Sequence, residues 1–304
     1  MLFQIREWIL AARLRTIPLS ISGIFIGSSA AYYKGMFDYT IFFLAILTTI
    51  SYQVLSNFAN DYGDGVKGTD DNRIGPKRAV QSGKIGIKKM KKGIVFTASI
   101  ALCLTFVLVI SSFKQDLLNL LLFVLLGILA VVSAIKYTVG KNPYGYMGFG
   151  DFFVFIFFGL VSVLGSNFLY TSSFNVFLFY PACTIGLLSV GVLNLNNMRD
   201  LDNDLKSKKN TIAVKLGIAK SKIYHFLLIL SSVIVILAFQ LSLNSNSIFF
   251  NCLIGSNVLW LLIHLIKIYD IHESKKFDVF LKPLALSTFF YSVSISLYFL
   301  KIIG

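Results

Sequence analysis

Acidic side chains are scarce in this chain, yet half of them fall in two short windows, each directly after a long apolar run. The first window begins with "NFANDYGDG" at residues 57–65, and the second is "NLNNMRDLDNDL" at residues 194–205. Seven of the 14 acids lie in these windows: Asp61, Asp64, Asp70, Asp71, Asp200, Asp202 and Asp204. Carboxylates grouped in this way are typical of a site for a hard divalent cation such as Mg²⁺.

The two windows share one spacing of polar residues. It reads Asn57-x-x-Asn60-x-x-x-Asp64 in the first window and Asn197-x-x-Asp200-x-x-x-Asp204 in the second. Positions i and i+4 lie on one face of a helix, so each window is expected to project two oxygen-bearing side chains in one direction. Carboxylates brought together without cations would repel each other, and bound Mg²⁺ would relieve that cost. The alternative explanation, which needs no metal site, is that polar residues collect where apolar helices end.

Basic residues surround both windows, which points to an anionic substrate bridged by the metal. Those near the first window are Lys67, Arg73, Lys77, Arg78 and Lys84, and those near the second are Arg199, Lys206, Lys208 and Lys209. Mg²⁺ is usually held by a few carboxylates together with substrate phosphates, so this pattern predicts a diphosphate. The run "KKMKK" at 88–92 is better explained as a marker of membrane orientation.

A third segment, residues 135–159, is rich in Gly and Tyr and is predicted to be a structured loop at the same end. Tyr137 and Lys141 have the spacing of one helical face and are predicted to donate to an anionic oxygen. Asp151 lies where the next helix should begin, and helix capping is as good an explanation for it as a functional role.

The elements that position these residues must be membrane-spanning helices. The chain has 304 residues, of which 56% are hydrophobic and 14% charged, and its mean hydropathy is +0.76. A soluble domain could not bury so much apolar surface. We predict an all-α bundle of nine spans around a central cavity, forming one domain with motif-bearing halves at about 1–135 and 136–304. The spans are 17–33, 40–58, 94–112, 117–135, 152–169, 176–195, 225–243, 248–266 and 284–302.

The net charge of +14 would also suit a nucleic-acid-binding protein, but its distribution argues against one. With nine spans, 25 of the 28 Lys and Arg residues fall on one side of the membrane. The positive-inside rule then places the N-terminus and the site in the cytoplasm, with the chain in the cytoplasmic (inner) membrane. The opening 18 residues are expected to form an amphipathic helix on that interface. Three Cys and three His residues lie singly and suggest no site, and no protein partner is evident.

Taken together, these stretches resemble the UbiA superfamily of membrane prenyltransferases. "NDYGDGVKGTDDNRIGPKRAVQSGKI", "YTVGKNPYGYMGFGDFFVFIFFG" and "NNMRDLDNDLKSKKNTIAVKLG" are similar to its 1,4-dihydroxy-2-naphthoate branch, as is the opening "AARLRTIPLSISGIFIG". The resemblance implies Mg²⁺-dependent transfer of a polyprenyl group from polyprenyl diphosphate to 1,4-dihydroxy-2-naphthoate, with loss of CO₂ and diphosphate. The product would be a demethylmenaquinone of menaquinone biosynthesis.

The resemblance also implies a role for each matching residue. The expected metal ligands are Asn60, Asp64, Asp70, Asp200 and Asp204, and the expected catalytic acids are Asp61, Asp64, Asp200 and Asp204. The diphosphate contacts that the resemblance implies are Tyr137, Lys141, Arg199 and Lys209. Arg78 and Lys84 are expected there as well because they lie close to the acids in the chain, and Asn57 and Asn197 are expected to contact the acceptor. Two departures affect the loops: Gly68 stands where relatives often have an acid, and "SKKNT" at 207–211 replaces a usual A-G-K-R-T.

Two other interpretations stay open at this stage. Another aromatic acceptor, such as 4-hydroxybenzoate, homogentisate or the porphyrin of haem, would need a similar site. A membrane transporter is the main alternative from a different class, but transporters usually carry their charged residues near the bilayer midplane in broken helices. Here the acids lie at span ends.

Overall fold

The structure, a computed structural model, describes residues 2–69 and 78–302, and within them every regular element is helical. Nine of these helices are long and apolar enough to cross a membrane. The predicted all-α, nine-span architecture is therefore confirmed for the described part of the chain. A short helix, α1 (Leu2–Ala12), forms the beginning of the first of these spans, Ile5–Tyr33.

The remaining helices follow in chain order: α2 (Ile17–Tyr33), α3 (Tyr39–Val66), α4 (Ile87–Phe113), α5 (Leu117–Lys136), α6 (Gly150–Thr171), α7 (Phe179–Arg199), α8 (Leu201–Lys206), α9 (Ile212–Leu243), α10 (Ile248–Tyr269) and α11 (Asp278–Phe299). Of the helices named here, α1 and α8 are too short to cross a bilayer by themselves. Large apolar side chains cover the outside of the bundle, as in the exposed Leu118 and Leu121 of α5. A bilayer as solvent removes the cost of that exposure.

Several helices begin at a polar side chain that caps the free backbone N–H groups of the first turn. Asp38 accepts hydrogen bonds from the N–H groups of Thr40 and Ile41 at the start of α3. Asp116 accepts one from Asn119 at the start of α5. Such caps satisfy donors that otherwise have no partner where the chain enters a helix.

Several spans are longer at one end than the hydropathy predicted, and α3 and α9 show the largest differences. Helix α3 was expected to end near residue 58, but it continues to Val66, so Asp61 and Asp64 lie in its last turns rather than after it. Helix α9 begins at Ile212 instead of 225 and bends at Gly217, whose φ of 70° leaves the helical region. Polar side chains at these ends lower the average hydropathy, so the apolar run stops before the helix does.

Helix α2 lies at the centre of the bundle, where it packs against α6 and α11. The amide of Asn167 on α6 donates a 3.0 Å hydrogen bond to the backbone oxygen of Gly27 on α2. Small residues allow this close approach, which is the common way for helices to associate in lipid. Part of α6, Phe155–Gly165, is wound as a π-helix.

Two of the histidines meet although they are far apart in sequence. The Nε2 atoms of His225 on α9 and His264 on α10 are 3.0 Å apart, and both rings are buried. Trp260 stacks on the His264 ring with 5.3 Å between centroids. The expectation that the histidines are scattered was wrong for this pair, which joins two helices away from the acidic windows.

Candidate active site at one end of the bundle

Asp64 is the centre of a buried polar cluster at one end of the bundle. Its side chain is almost fully buried in the last turn of α3. One carboxylate oxygen accepts a 2.7 Å hydrogen bond from the Arg78 guanidinium, and the other accepts a 2.8 Å bond from the Tyr146 hydroxyl. A buried carboxylate is tolerated only when it is paired in this way.

The second acidic window comes to the same place. The Nζ atom of Lys209 is 3.6 Å from a carboxylate oxygen of Asp204 and 3.8 Å from one of Asp64. All three side chains are buried. Two carboxylates, one from each window, therefore face a single ammonium group.

The second window is not one continuous helix, as its spacing had suggested. Helix α7 ends at Arg199, and Asp200 has φ −92° and ψ 7°, outside the regular helical values. Helix α8 begins at Leu201. The N–H of Asp204 still donates a 2.8 Å hydrogen bond to the oxygen of Asp200, so the two acids remain one turn apart.

Tyr146 is a central residue of the cluster that the sequence analysis did not single out. Its hydroxyl donates to Asp64 and lies 2.6 Å from the hydroxyl of Thr69, which must then be the donor of that bond. The amide of Asn203 on α8 donates to the backbone oxygen of Thr69. Tyr146 and Asn203 thus link the Gly-rich loop and the second window to the end of the first. The only sequence signal was the dense "YGYMGFG" segment itself.

The ring of Tyr146 also faces two ammonium groups. The Nζ of Lys67 lies 4.2 Å from the ring centroid, and that of Lys209 lies 5.4 Å from it. Cations at such distances from an aromatic face are attracted by its quadrupole. One tyrosine therefore orders both a carboxylate and two cations.

The charges around Lys209 and Tyr146 shift the pKa values of both side chains upward. Burial by itself would lower the pKa of the Lys209 ammonium, but the carboxylates of Asp64 and Asp204 outweigh it and hold that pKa above its ordinary value of 10.5. Burial, followed by the charge of Asp64, raises the pKa of the Tyr146 phenol. Lys209 thus stays cationic and Tyr146 stays a hydrogen-bond donor at neutral pH.

Asp61 binds the backbone that follows Arg78, a contact that the sequence analysis did not predict. The two carboxylate oxygens of Asp61 accept 3.0 Å hydrogen bonds from the backbone N–H groups of Ala79 and Val80. This fixes the backbone beside Arg78, whose guanidinium bonds the oxygen of Asn60 as well as Asp64. Each carboxylate oxygen of Asp61 thus accepts a hydrogen bond from one backbone N–H group of this segment.

Lys84 and Arg199, both expected at the diphosphate, are bonded elsewhere. Lys84 forms a 3.0 Å ion pair with Glu7 of α1. Arg199 is fully buried, and its guanidinium bonds Asp200 in a bidentate pair at 2.8 and 2.7 Å. It also donates to Asn196 and to Asp278 of α11. In this arrangement Arg199 joins three elements and fixes the direction of Asp200.

Tyr137 and Lys141 do not share a helical face. Helix α5 ends at Lys136, and Gly140, with φ 108°, turns the chain in a way that few other residues allow. Tyr137 packs edge-on against Tyr144, with 5.4 Å between the ring centroids, whereas Lys141 is exposed on the loop. Burial, followed by the charge of Asp151, raises the pKa of Tyr137, so its phenol stays protonated.

Asp151 lies at the start of α6, where it was expected, and is buried. Its carboxylate accepts a 3.0 Å hydrogen bond from the Tyr224 hydroxyl of α9. The two helices are tied together at that point.

A long cavity of about 360 Å³ lies inside the bundle and is lined mainly by α3, α4, α5 and α6. Asn57, Asn60 and Tyr137 line its end near the cluster, and Ala45 and Leu108 line its far part. Fifteen residues of α3 separate Asn60 from Ala45, which is about 22 Å of helix. Most of the lining is apolar, and hydroxyl groups from several helices lie among the apolar side chains. We call this space the long cavity.

Only one of the two asparagines expected at the acceptor lines the long cavity. Asn57 lines the long cavity, and its amide donates a 2.8 Å hydrogen bond to the backbone oxygen of Ala12. Asn197 is buried on α7 and lies outside the described lining of that cavity.

Part of the predicted metal site falls on residues that the structure does not describe. Asp70, Asp71, Arg73 and Lys77 all lie outside the described residues 2–69 and 78–302. Within those ranges, no group of three or more His, Cys, Asp or Glu side chains is close enough to hold a metal ion. The described oxygen donors nearest one another across Lys209 are Asp64 and Asp204.

Sequence comparison relates the chain to enzymes of one chemistry. It is 44% identical over 242 residues to the 1,4-dihydroxy-2-naphthoate octaprenyltransferase of Haemophilus influenzae, covering 79% of this chain and 78% of that one. It is 40% identical over 237 residues to the enzyme of the same name from Escherichia coli, covering 78% and 77% of the two chains.

Solved structures of low sequence identity share the fold. A UbiA homologue from Archaeoglobus fulgidus bound to DMAPP and Mg²⁺ superposes with a TM-score of 0.65 at 13% identity, over 95% of this chain and 99% of that one. The apo structure of a UbiA homologue from Aeropyrum pernix K1 gives 0.66 at 14% identity, over 91% and 97%. Residues 20–293 match the UbiA prenyltransferase family. The chain is a multi-pass membrane protein that belongs to the UbiA prenyltransferase family.

Proposed function

We propose that the protein transfers a polyprenyl group from polyprenyl diphosphate to 1,4-dihydroxy-2-naphthoate, releasing CO₂ and diphosphate and giving the hydroquinone form of a demethylmenaquinone. The naphthoate substrate is carried over from the relatives at 44% and 40% identity, whose names state that activity. The observation that carries the proposal is the meeting of Asp64, Asp204 and Lys209, with Asp64 one helical turn beyond Asn60, which lines the long cavity.

Magnesium fits the chemistry of the oxygen donors in this cluster. Carboxylate oxygens are the ligands that Mg²⁺ prefers, and Asp64 and Asp204 present them from two sides. Asp70, Asp200 and the side-chain oxygen of Asn60 are the further proposed ligands. When bound, Mg²⁺ supplies charge neutralisation to a diphosphate leaving group. A fold relative was solved with Mg²⁺ and a prenyl diphosphate, which supports the choice of metal.

The buried cations of the cluster would stabilise the leaving diphosphate. Cleavage of the allylic C–O bond leaves the bonding pair on the diphosphate, so negative charge grows there. Lys209 and Arg78 provide fixed positive charge that needs no reorganisation, and Tyr146 holds Asp64 in place. We assign diphosphate contacts also to Tyr137 and Lys141, which border the same end of the bundle.

The long cavity suits the prenyl chain. Its apolar lining continues for about 22 Å along α3, long enough for several isoprene units in extended form. An allylic cation reacts with water, so a dry space around it protects the reaction. The rest of a longer chain would pass between helices into the bilayer.

The acceptor ring completes the reaction. An electron-rich naphthoate forms a C–C bond to the allylic carbon at the ring carbon that carries the carboxylate. Loss of CO₂ returns its bonding pair to the ring and restores aromaticity. Asp61 is assigned to hold the Arg78 segment in place, because its carboxylate oxygens accept backbone N–H bonds.

The charge distribution supports an orientation with this end of the bundle in the cytoplasm. The Lys and Arg residues collect on the side that carries both windows, as the positive-inside rule requires. We place the protein in the cytoplasmic membrane with a cytoplasm-facing site, as one domain whose two halves contribute one window each.

A single reconstitution tests the function and its alternatives. The full chain in liposomes is incubated with Mg²⁺, a polyprenyl diphosphate and, separately, 1,4-dihydroxy-2-naphthoate, 4-hydroxybenzoate and homogentisate. Mass analysis of the lipids should find prenylated naphthoate that has lost CO₂. If product forms only from one of the other acids, that acid is the acceptor instead of the naphthoate. Metal-stimulated flux of solute without any prenylated product would favour the transporter.

A further inference from the structure

The far end of the long cavity is closed by packed apolar side chains. The lining residues furthest along three successive helices are Val109 of α4, Phe123 of α5 and Leu169 of α6. All three pack in one apolar cluster, together with Ala45 of α3. Phe113, the last residue of α4, belongs to the same cluster but lies behind the described lining. A ligand in the cavity therefore meets a packed wall at this end.

Phe123 is the ring that faces the cavity, and two further rings stand behind it. Its centroid lies 4.9 Å from that of Phe113 and 5.5 Å from that of Phe168 on α6. Phe113 and Phe168 are 5% and 8% exposed, and neither belongs to the described lining. Aromatic rings packed at such distances attract each other beyond the area they bury, so Phe123 is held in place. We call these three rings the aromatic floor.

The chain becomes polar directly beyond the aromatic floor. Phe113 ends α4, and the exposed turn 114–116, which reads KQD, follows it. Phe123 lies in the second turn of the next helix, α5. An apolar ligand that passed the floor would meet these polar groups and water, which is unfavourable. The floor thus marks the limit of the apolar space inside this part of the bundle.

The distance to the aromatic floor corresponds to a small number of isoprene units. The fifteen residues of α3 from Asn60 to Ala45 span about 22 Å. Four chain bonds of about 1.5 Å, set at an angle to one another, advance an extended isoprene unit by about 5 Å. About four units therefore fit between the level of Asn60 and the floor.

We propose that Phe123, backed by Phe113 and Phe168, determines how much of the prenyl chain the protein holds. Units up to the aromatic floor are bound in the long cavity, and further units remain in the bilayer. The inference rests on the proposed function for the identity of the ligand as a prenyl diphosphate. A chain too short to reach Phe123 leaves a void, and a void of one unit costs about tenfold in affinity. The floor therefore selects against short chains and is indifferent to length beyond it.

Gly165 of α6 allows the opposite change to be made. It lines the cavity, and a Cβ atom at this position would lie 4.0 Å from Cε1 of Phe123 and 3.8 Å from Cγ1 of Val161. These are ordinary van der Waals distances, so a side chain fits at its base, and its outer atoms would fill part of the far end. Phe123→Ala lengthens the apolar space and Gly165→Leu shortens it.

Unreactive prenyl thiodiphosphates with two to six isoprene units test the proposal. Their binding to the full chain is measured in detergent micelles with Mg²⁺, at equal mole fraction in the micelle so that partitioning of the tail cancels. Wild-type affinity should rise by about tenfold per unit up to about four units and then level off. This break point should come about one unit later in Phe123→Ala and about one unit earlier in Gly165→Leu.

Phe106→Ala is the matched control, because Phe106 of α4 is 53% exposed on the outside of the bundle and does not line the cavity. Its break point should be that of the wild type. An unchanged break point in both Phe123→Ala and Gly165→Leu would overturn the proposal, and so would a wild-type affinity that keeps rising with every added unit. A shift in the same direction in both variants would overturn it as well, because it would reflect a general loosening of the bundle.

The outcome is separable from that of the proposed function. Opposite shifts of the break point without any prenylated product would leave the aromatic floor in place and refute the transfer reaction. Product formed by variants whose break point does not move would refute the aromatic floor alone.

Discussion

The hydroxyl of Tyr146 donates a 2.8 Å hydrogen bond to the carboxylate of Asp64, although 82 residues separate them in the chain. The bond joins the Gly-rich loop after α5 to the last turn of α3. Asp64 is thereby fixed in one orientation, with one carboxylate oxygen 3.8 Å from the Nζ atom of Lys209. A site that must neutralise a leaving group gains from such preorganisation.

Tyr146→Phe removes this hydroxyl and keeps the ring that faces Lys67 and Lys209. We expect the transfer rate to fall by about tenfold, since a hydrogen bond to a charged group is worth about 1.5–3 kcal/mol. Tyr170→Phe is the control, because the Tyr170 hydroxyl bonds Ser28 and not the acidic cluster. Equal rates for Tyr146→Phe and the wild type in liposomes would show that this bond has no part in transfer.

Arg199 is predicted to act through the structure it holds together. Arg199→Met leaves the buried Asp200 without its bidentate partner, and breaking a buried ion pair costs about 3–5 kcal/mol. Thermal unfolding in detergent should occur at a clearly lower temperature. Lys276→Gln, which removes the exposed pair with Glu273, should leave the unfolding temperature unchanged. An Arg199 variant that unfolds like the wild type but fails to bind diphosphate would instead make Arg199 a substrate ligand.

Gly63 marks the place where α3 touches the loop after α5. A Cβ atom at this position would lie 2.7 Å from the Cβ of Thr138 and 2.8 Å from its backbone carbon. Gly63→Ala should therefore push the loop away and destabilise the fold by about 1–3 kcal/mol. Gly255→Ala on α10, where a Cβ meets nothing within 4 Å, is the matched control. Equal unfolding temperatures for the two variants would contradict this packing.

The pH dependence of stability should report the Lys209 environment. Its pKa is raised above 10.5 in the folded protein, so its stabilising contribution is complete below pH 10.5 and is lost as pH rises through the folded-state pKa. Unfolding temperatures measured from pH 8 to 11.5 should fall more steeply above pH 10.5 in the wild type than in Lys209→Gln. Parallel curves would mean that Lys209 is not held by Asp64 and Asp204.

Much of the fold was readable because lipid imposes a simple rule on the backbone. Every span that was predicted from an apolar run is a helix in the described part of the chain. A helix makes all of its backbone hydrogen bonds internally, which the bilayer requires. The shared spacing of the windows also pointed to the meeting of Asp64 and Asp204. Helix ends were less predictable. The turns of α3 after residue 58 and of α9 before residue 225 contain polar side chains that lower the average hydropathy, so the apolar run ends before the helix does.

The contacts that loop residues make could not be predicted from the sequence in the same way. Tyr146 lies in a loop whose path is set by Gly140 and Gly148, and such a path has no period that sequence inspection can follow. Lys84 and Arg199 were assigned to the diphosphate from their distance along the chain, but Glu7 and Asp278 reach them from other helices. Charge pairing across a bundle depends on packing, which local spacing does not contain.

The central claim is that Asp64 and Asp204, one from each window, act together in one cation-dependent diphosphate site. Its most direct test is binding of a non-hydrolysable prenyl thiodiphosphate to the full chain in nanodiscs, with and without Mg²⁺. The wild type should bind far more tightly with Mg²⁺, and Asp64→Asn, Asp204→Asn and the double variant should lose that gain to the same extent. Mg²⁺-enhanced binding that survives in either single variant, or losses that simply add in the double variant, would contradict the account.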